Sequence, residues 1–147
     1  MLKIQIKSFE ELTKHELYNL LQLRSEVFVV EQNCVYQDLD GQDEKSLHVL
    51  GIKYKNIVAY TRIFRPDDYF EFASIGRVVV VKNERQHNYG FDIMNASAEA
   101  IKTYFNETTI KISAQVYLKK FYTTLGFKCV GQVYLEDDIP HVAMIKE

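Results

Sequence analysis

Little in this sequence restrains the chain covalently or divides it into parts. Only two cysteines, Cys34 and Cys129, occur in 147 residues. One pair is too few for a disulfide scaffold, and two free thiols suit a reduced, cytoplasmic protein. Only two prolines, Pro66 and Pro140, are present, with no Pro/Ser-rich linker, internal repeat or low-complexity tract. A single domain over residues 1–147 is expected. A chain of this length buries roughly 70% of the surface its unfolded form exposes, so it needs no disulfide or metal staple. No apolar run approaches the roughly 20 residues of a membrane span, and the first residues alternate apolar and charged, unlike a leader peptide. A basic excess is also missing. The formal net charge is −2, which argues against nucleic acid as the main ligand because phosphates need a basic face.

Several site signatures are absent too. The four histidines, at 15, 48, 87 and 141, show no zinc spacing. Asp38-Leu39-Asp40-Gly41 fails as a calcium loop: the glycine comes two positions early and the twelfth position is Val49 rather than Glu. No metal is expected. There is no G-x-x-x-x-G-K-[ST] and no G-x-G-x-x-G, which excludes a P-loop and a dinucleotide fingerprint.

What is present is the balance of a globular domain, 47% hydrophobic and 26% charged. Leu2, Ile4 and Ile6 alternate with polar residues as a half-buried strand does. Thr13 and Glu16 have capping-box spacing, with Leu12 and Leu17 placed as a hydrophobic staple. Leu17, Leu20, Leu21, Val27 and Phe28 continue at helical spacing, and Asp38 to Lys45 reads as a loop. Leu47 to Tyr54 and Ile57 to Phe64 read as strands around a tight turn at Lys55-Asn56. Ile75 to Val81, with four consecutive valines, reads as a central strand covered on both faces. A helix follows Gly90 and ends near Phe105. Thr109 to Ala114 reads as a strand and Val116 to Leu125 as a short helix stopped by Gly126. Phe127 to Tyr134 and His141 to Ile145 close the chain as strands. Hairpins imply antiparallel pairs, and the β-α-β stretches imply a parallel crossover. The expectation is an α+β fold, a mixed, mostly antiparallel sheet with helices on both faces.

The segment after the valine strand, Lys82-Asn83-Glu84-Arg85-Gln86-His87-Asn88-Tyr89-Gly90, enters a helix whose first N–H groups lack partners. Those amides and the helix dipole form a ready anion site, and Arg85 adds a fixed charge suited to phosphate. Arg85-x-x-Asn88-x-Gly90 resembles the acyl-CoA pyrophosphate loop of the GNAT superfamily. Asn88 stands where that family usually has a glycine, and Asn tolerates left-handed geometry better than most residues. Gln115 to Phe127, with Tyr122-x-x-x-Gly126-Phe127, resembles the family's second CoA-contacting motif. Leu23-Arg24 through Asp40-Gly41, together with Ala59 to Arg62, Gly76-Arg77-Val78 and Ile139-Pro140-His141, resembles the ElaA branch.

The resemblance implies a GNAT fold and transfer of an acetyl group from acetyl-CoA to a small-molecule or peptide amine, by a monomer or homodimer. It implies that Arg85, Gln86, His87, Asn88, Tyr89, Gly90 and Phe91 hold the pyrophosphate. It implies that Val78, Val79, Val80 and Gln115 lie along the rest of CoA, a backbone N–H of the valine strand polarising the carbonyl. Tyr122 is the candidate acid for the departing thiolate. Glu31, His48 and His141 are candidate bases, the two histidines being equally readable as strand residues with satisfied nitrogens. Arg24, Arg62 and Arg77 fall on apolar faces and need partners. Glu31, Asp38 and Asp40 are available, so these arginines form either an acceptor pocket or an internal network positioning residues 31–41. Cys34 is a less favoured acyl carrier. Other readings are an acyl-homoserine-lactone-synthase-like enzyme and a non-catalytic CoA-binding module.

Overall fold

The computed structural model describes residues 2–147. Strand β1 spans Lys3–Ser8 and leads into helix α1, Lys14–Arg24. The capping box forms: Glu16 N–H donates to Thr13 Oγ1 (3.0 Å) and Thr13 N–H to Glu16 Oε1 (2.9 Å). Helix α1 runs on without a break into a wide π-type turn at Ser25–Glu31, a distortion often found at functional sites.

Strands β2 (Leu47–Lys53) and β3 (Asn56–Phe64) form a hairpin. Its two-residue turn is Tyr54-Lys55, both at positive φ (50° and 68°), one residue earlier than the sequence suggests. This is the primed turn geometry that matches strand twist. Strand β4 (Ala73–Val80) is followed by a 3-10 turn at Lys82–His87 and helix α2 (Tyr89–Ala100), which widens into a π-type turn at Ile101–Phe105. Asn106, in the left-handed region, ends it. Strand β5 (Ile110–Gln115), a 3-10 turn at Val116–Leu118 and helix α3 (Lys119–Thr124) precede the last hairpin. That hairpin, β6 (Lys128–Glu136) and β7 (Ile139–Lys146), is longer than expected, because Asp137 and Asp138, at φ 51° and 63°, suffice for its turn.

The seven strands form one sheet in the order β1-β2-β3-β4-β5-β7-β6. Only β4 and β5 pair in parallel, and only through Ala73–Ile110 and Ser74–Lys111. Beyond those residues the two strands part. Helix α2 and the π-type turn after it pack Ile93, Met94 and Ile101 with Val49, Ile63, Ile75, Ile112 and Met144 on one side. Helix α1 packs Leu20 and Leu23 with Leu50, Tyr60 and Val79 on the other. The α+β layer expectation holds. Among the described residues, no helix is long and apolar enough to cross a membrane.

The capping box fixes where α1 begins and therefore where its far end, with Arg24, is delivered. Thr13→Ala is expected to destabilise the fold by about 1 kcal/mol, read as a lowered urea midpoint at unchanged slope.

Candidate active site

A cavity of about 570 Å³ opens where β4 and β5 part. Its walls come from the end of α1, the loop after it, both diverging strands, the start of α2, helix α3 and the β6–β7 hairpin.

A distortion in β4 sits at its centre. Gly76 pairs with Arg62 and Val79 with Tyr60, so Arg77 and Val78 together face the single residue Thr61. Arg77 takes a φ of 50° there. This is a bulge, and it lies at the point where the resemblance implied an exposed backbone amide. Val78, Val79 and Val80 all border the cavity.

Asn88 caps α2 with φ 61°, in the left-handed region, and no side chain caps the helix. The first amides of α2 stay open to an incoming anion. Arg85, Asn88, Gly90 and Phe91 border the cavity, as does Gln115. Gln86, His87 and Tyr89 do not: Gln86 and His87 are exposed on the 3-10 turn, and Tyr89 is buried in the core under α2. Gly90 allows close packing, since a Cβ there would sit 3.2 Å from the Phe121 ring.

Glu31 is not a free base. Its two carboxylate oxygens accept bidentate bonds from Arg85 at 2.7 and 2.9 Å. That pairing holds Glu31 below the ordinary carboxylate range. Arg85 is anchored further by donating from Nε to the Val80 carbonyl at 3.1 Å.

The histidines separate sharply. His48 is fully buried and does not border the cavity. Its Nε2 lies 3.0 Å from the Asp43 carbonyl and its Nδ1 2.5 Å from the Tyr60 hydroxyl. A carbonyl only accepts, so Nε2 carries the proton and Nδ1 accepts from Tyr60. Burial lowers its pKa. His48 is a satisfied core residue, not a base. His141 borders the cavity. Its Nδ1 donates to the Ile139 carbonyl at 2.7 Å, which leaves Nε2 with a lone pair. Glu136 Oε2 lies 3.5 Å from that Nε2.

Tyr122 borders the cavity and is buried between Phe121 and Phe127, edge to face. Burial raises its pKa above that of a free phenol, so it stays protonated and able to donate. Cys34 also borders the cavity. Burial, then the charges of Asp137 and Asp138, raise its thiol pKa, and the thiol donates to the Asp137 carbonyl at 3.3 Å. A protonated, engaged thiol is a poor nucleophile.

The three arginines form a closed ring with three aspartates. Arg24 reaches Asp38 (2.8 Å) and Asp43 (2.7 Å), and Arg62 reaches Asp43 (2.9 Å) and Asp40 (2.6 Å). Arg77 reaches Asp40 (3.4 Å) and Asp38 (2.8 Å). Each cation meets two anions and each anion two cations. Arg24 is wholly buried and does not touch the cavity, so it reads no substrate. Arg62 and Arg77 border the cavity, but their charges are already committed to the ring. The ring holds down the loop between α1 and β2, as the internal-network alternative requires. Asp43 was not recognisable as its third anion, because loop positions carry no periodicity. Ser113, Tyr134 and Glu136, which meet beside His141, escaped the sequence for the same reason.

Arg24→Met would leave Asp38 and Asp43 each short of a cation and is expected to cost about 3–5 kcal/mol. The ring also sets an acid limit. Burial alone would raise the Asp40 and Asp43 carboxyls, but Arg62 at Asp40, and Arg24 then Arg62 at Asp43, outweigh it and hold both low. Folded values below unfolded ones give stability that is complete above the unfolded carboxyl pKa of about 4 and lost as pH falls through the folded values. Thermal unfolding should show a wild-type Tm flat above about pH 5 and falling below about pH 4.

Comparison with known proteins agrees with this geometry. Residues 10–147 match the acetyltransferase (GNAT) domain family. The chain is 42% identical to Protein ElaA of Escherichia coli over 149 aligned positions, covering 100% of this chain and 97% of that one. It is 40% identical to a UPF0039 protein of Schizosaccharomyces pombe, over 97% of this chain and 95% of that protein. The crystal structure of Escherichia coli ElaA superposes with a TM-score of 0.92, each chain fully covered. An acyl-CoA N-acyltransferase from Pseudomonas aeruginosa, 39% identical, also gives 0.92 over the full length of both chains. The chain therefore belongs to the GNAT acetyltransferase family, in the neighbourhood of ElaA.

Proposed function

We propose that this protein is an acyl-CoA-dependent N-acyltransferase that moves an acetyl group from acetyl-CoA to a small-molecule or peptide amine by direct attack. The observation that carries this reading is a single cavity bordered by the Arg85–Gly90 turn, the β4 bulge, Tyr122 and His141. These are the parts that thioester aminolysis needs, gathered around one void.

In this reading Arg85 and the open amides at the start of α2 take the pyrophosphate. The unpaired edge of β4 offers backbone groups to the pantetheine amides, much as it would to an added strand. A backbone N–H near Val78 to Val80 faces the carbonyl oxygen as it becomes an oxyanion, an interaction typically worth about 3 kcal/mol. The amine nitrogen attacks the carbonyl carbon while His141 Nε2 takes its proton. The C–S bond then breaks and the Tyr122 hydroxyl protonates the departing thiolate. Holding both reactants in one cavity removes further barrier. The engaged Cys34 thiol favours direct transfer over an acyl-enzyme.

Glu31 now has a different part to play. Its carboxylate occupies the guanidinium that the pyrophosphate would use, so cofactor binding exchanges one anion for another on Arg85.

Arg85→Ala is expected to weaken acetyl-CoA by about tenfold or more, the loss of a bidentate charge-assisted contact. Calorimetry checks it, and unchanged affinity would remove Arg85 from the CoA site. Tyr122→Phe keeps the ring, so folding and the KM for acetyl-CoA should hold while turnover falls about a hundredfold or more. Free-thiol release and melting temperature on the same protein decide the point. A well-folded Phe variant with wild-type turnover would leave water as the proton source.

A further inference from the structure

The charges that border the cavity do not balance once the pairs are removed. Arg62 and Arg77 are each held by two aspartates of the buried ring. Arg85 is held by Glu31 at the cofactor end. The remaining charged side chains at the opposite end are Glu136 and Asp137, next to Asp138 at the tip of the β6–β7 hairpin. Among the described residues, neither Glu136 nor Asp137 has a lysine or arginine partner. The acceptor end therefore carries uncompensated negative charge, and among the described residues that border the cavity no unpaired lysine or arginine is there to receive a carboxylate.

The geometry at Glu136 and His141 sharpens this. Because His141 Nδ1 donates to the Ile139 carbonyl, Nε2 presents a lone pair when the ring is neutral. It faces Glu136 Oε2 at 3.5 Å. Two acceptors at that distance repel unless an N–H lies between them. Glu136 is fixed from behind, since its Oε1 accepts from Ser113 Oγ at 3.2 Å and Ser113 bonds the Tyr134 hydroxyl. The His141 ring stacks near Tyr134, centroids 6.2 Å apart and planes 23° from parallel. Tyr134 from β6 and Ser113 from β5 touch this pair, and the same cavity is bordered by Asp137 from the hairpin turn, which Asp138 follows, by Cys34 and Tyr36 from the loop after α1, and by Arg77 from β4. Burial, followed by the hairpin acids, keeps the Cys34 thiol protonated, so it adds no charge.

We infer that the acceptor is a cationic primary amine with no carboxylate beside its amino group, seated between Glu136 and His141. This rests on the acyltransferase reading above and names the class of its second substrate. An arriving ammonium donates one N–H to Glu136 Oε2 and another to His141 Nε2. Transfer of the second proton to Nε2, and from there to water past the exposed Glu136, leaves a neutral amine with a free lone pair. It also returns Nε2 to take the proton the nitrogen sheds on attack, while Tyr122, having protonated the thiolate, recovers its own proton from solvent. A carboxylate on the same carbon would meet Glu136 and Asp137 with nothing to neutralise it.

The test compares amines with the amino acids from which they differ by one carboxylate: tyramine with tyrosine, and agmatine with arginine. Acetyl-CoA-dependent thiol release is measured for each, and tyramine binding to the CoA-loaded protein is measured by calorimetry. The expected result is a kcat/KM at least about tenfold higher for each decarboxylated partner. Glu136→Gln, at a half-exposed position where folding should be unaffected, is expected to raise the tyramine KM about tenfold with a smaller change in kcat and to narrow the gap to tyrosine. Tyrosine and arginine used as well as their decarboxylated partners would overturn the acceptor class while leaving acyl transfer intact. Tyramine bound in a Glu136-dependent way without thiol release would support the cationic seat and overturn the transfer reading. Amines neither bound nor acetylated would overturn the inference.

Discussion

β4 and β5 share a ladder for only two residue pairs, and the rest of the site is a consequence of that early parting. A parallel pair needs a crossover, here α2, whose first turn must lie over the carboxyl end of β4. The wedge between the strands thus has an anion-attracting helix start at one end without any further device. The bulge at Arg77 and Val78 adds to the effect. It breaks the ladder on the other side of β4 as well, so backbone polar groups at the centre of the sheet lack some of their strand partners. Buried backbone groups left unpaired are costly. A ligand with amides spaced like a peptide relieves that cost.

The ring of three arginines and three aspartates answers a second problem, how to fix a long loop that has no secondary structure. Residues 32–46 separate the π-type turn from β2 and form no strand or helix of their own. Apolar packing does little here, since Val35 and Leu39 are exposed. Alternating cations and anions supply geometry instead. Any single deletion strands two partners, so the loop has one low-energy arrangement rather than many. Such a ring need not add net stability over a well-packed apolar core. What it supplies is position: Cys34 and Tyr36 are held against the cavity, and two guanidinia sit in its wall with their charge already spent.

Much of this was legible before any coordinates. The capping box at Thr13, the valine strand, the stop at Gly126 and the left-handed tolerance of Asn88 are local statements, and local physics decides them. The misreadings share a different cause. His48 and His141 look alike in sequence, each within an apolar strand. They differ only because β2 lies two places from the wedge while β7 lies next to β5. Arg24, Arg62 and Arg77 announced themselves as charges on apolar faces, but their partners lie in a loop whose sequence carries no periodic signal. Glu31 was read as a candidate base or a partner of Arg24, Arg62 and Arg77, and its pairing with Arg85 was missed because Arg85 lies 54 positions away in the chain. The turn at Tyr54-Lys55 slipped by one residue because neither residue is one that positive φ usually selects.

The placement of the anions links the two ends of the cavity. At one end the acid that borders the cavity, Glu31, is paired with Arg85, a guanidinium that, on the proposed reading, it yields to the pyrophosphate. At the other end Glu136 and Asp137 have no lysine or arginine partner among the described residues. On the proposed reading a dianionic pyrophosphate is drawn to one side and an ammonium to the other, each repelled from the opposite seat. This ordering needs no moving part. It follows from which carboxylates the fold pairs and which it leaves open. If His141 takes the amine's proton as proposed, the exposed position of Glu136 3.5 Å from its Nε2 gives that proton a route on to water.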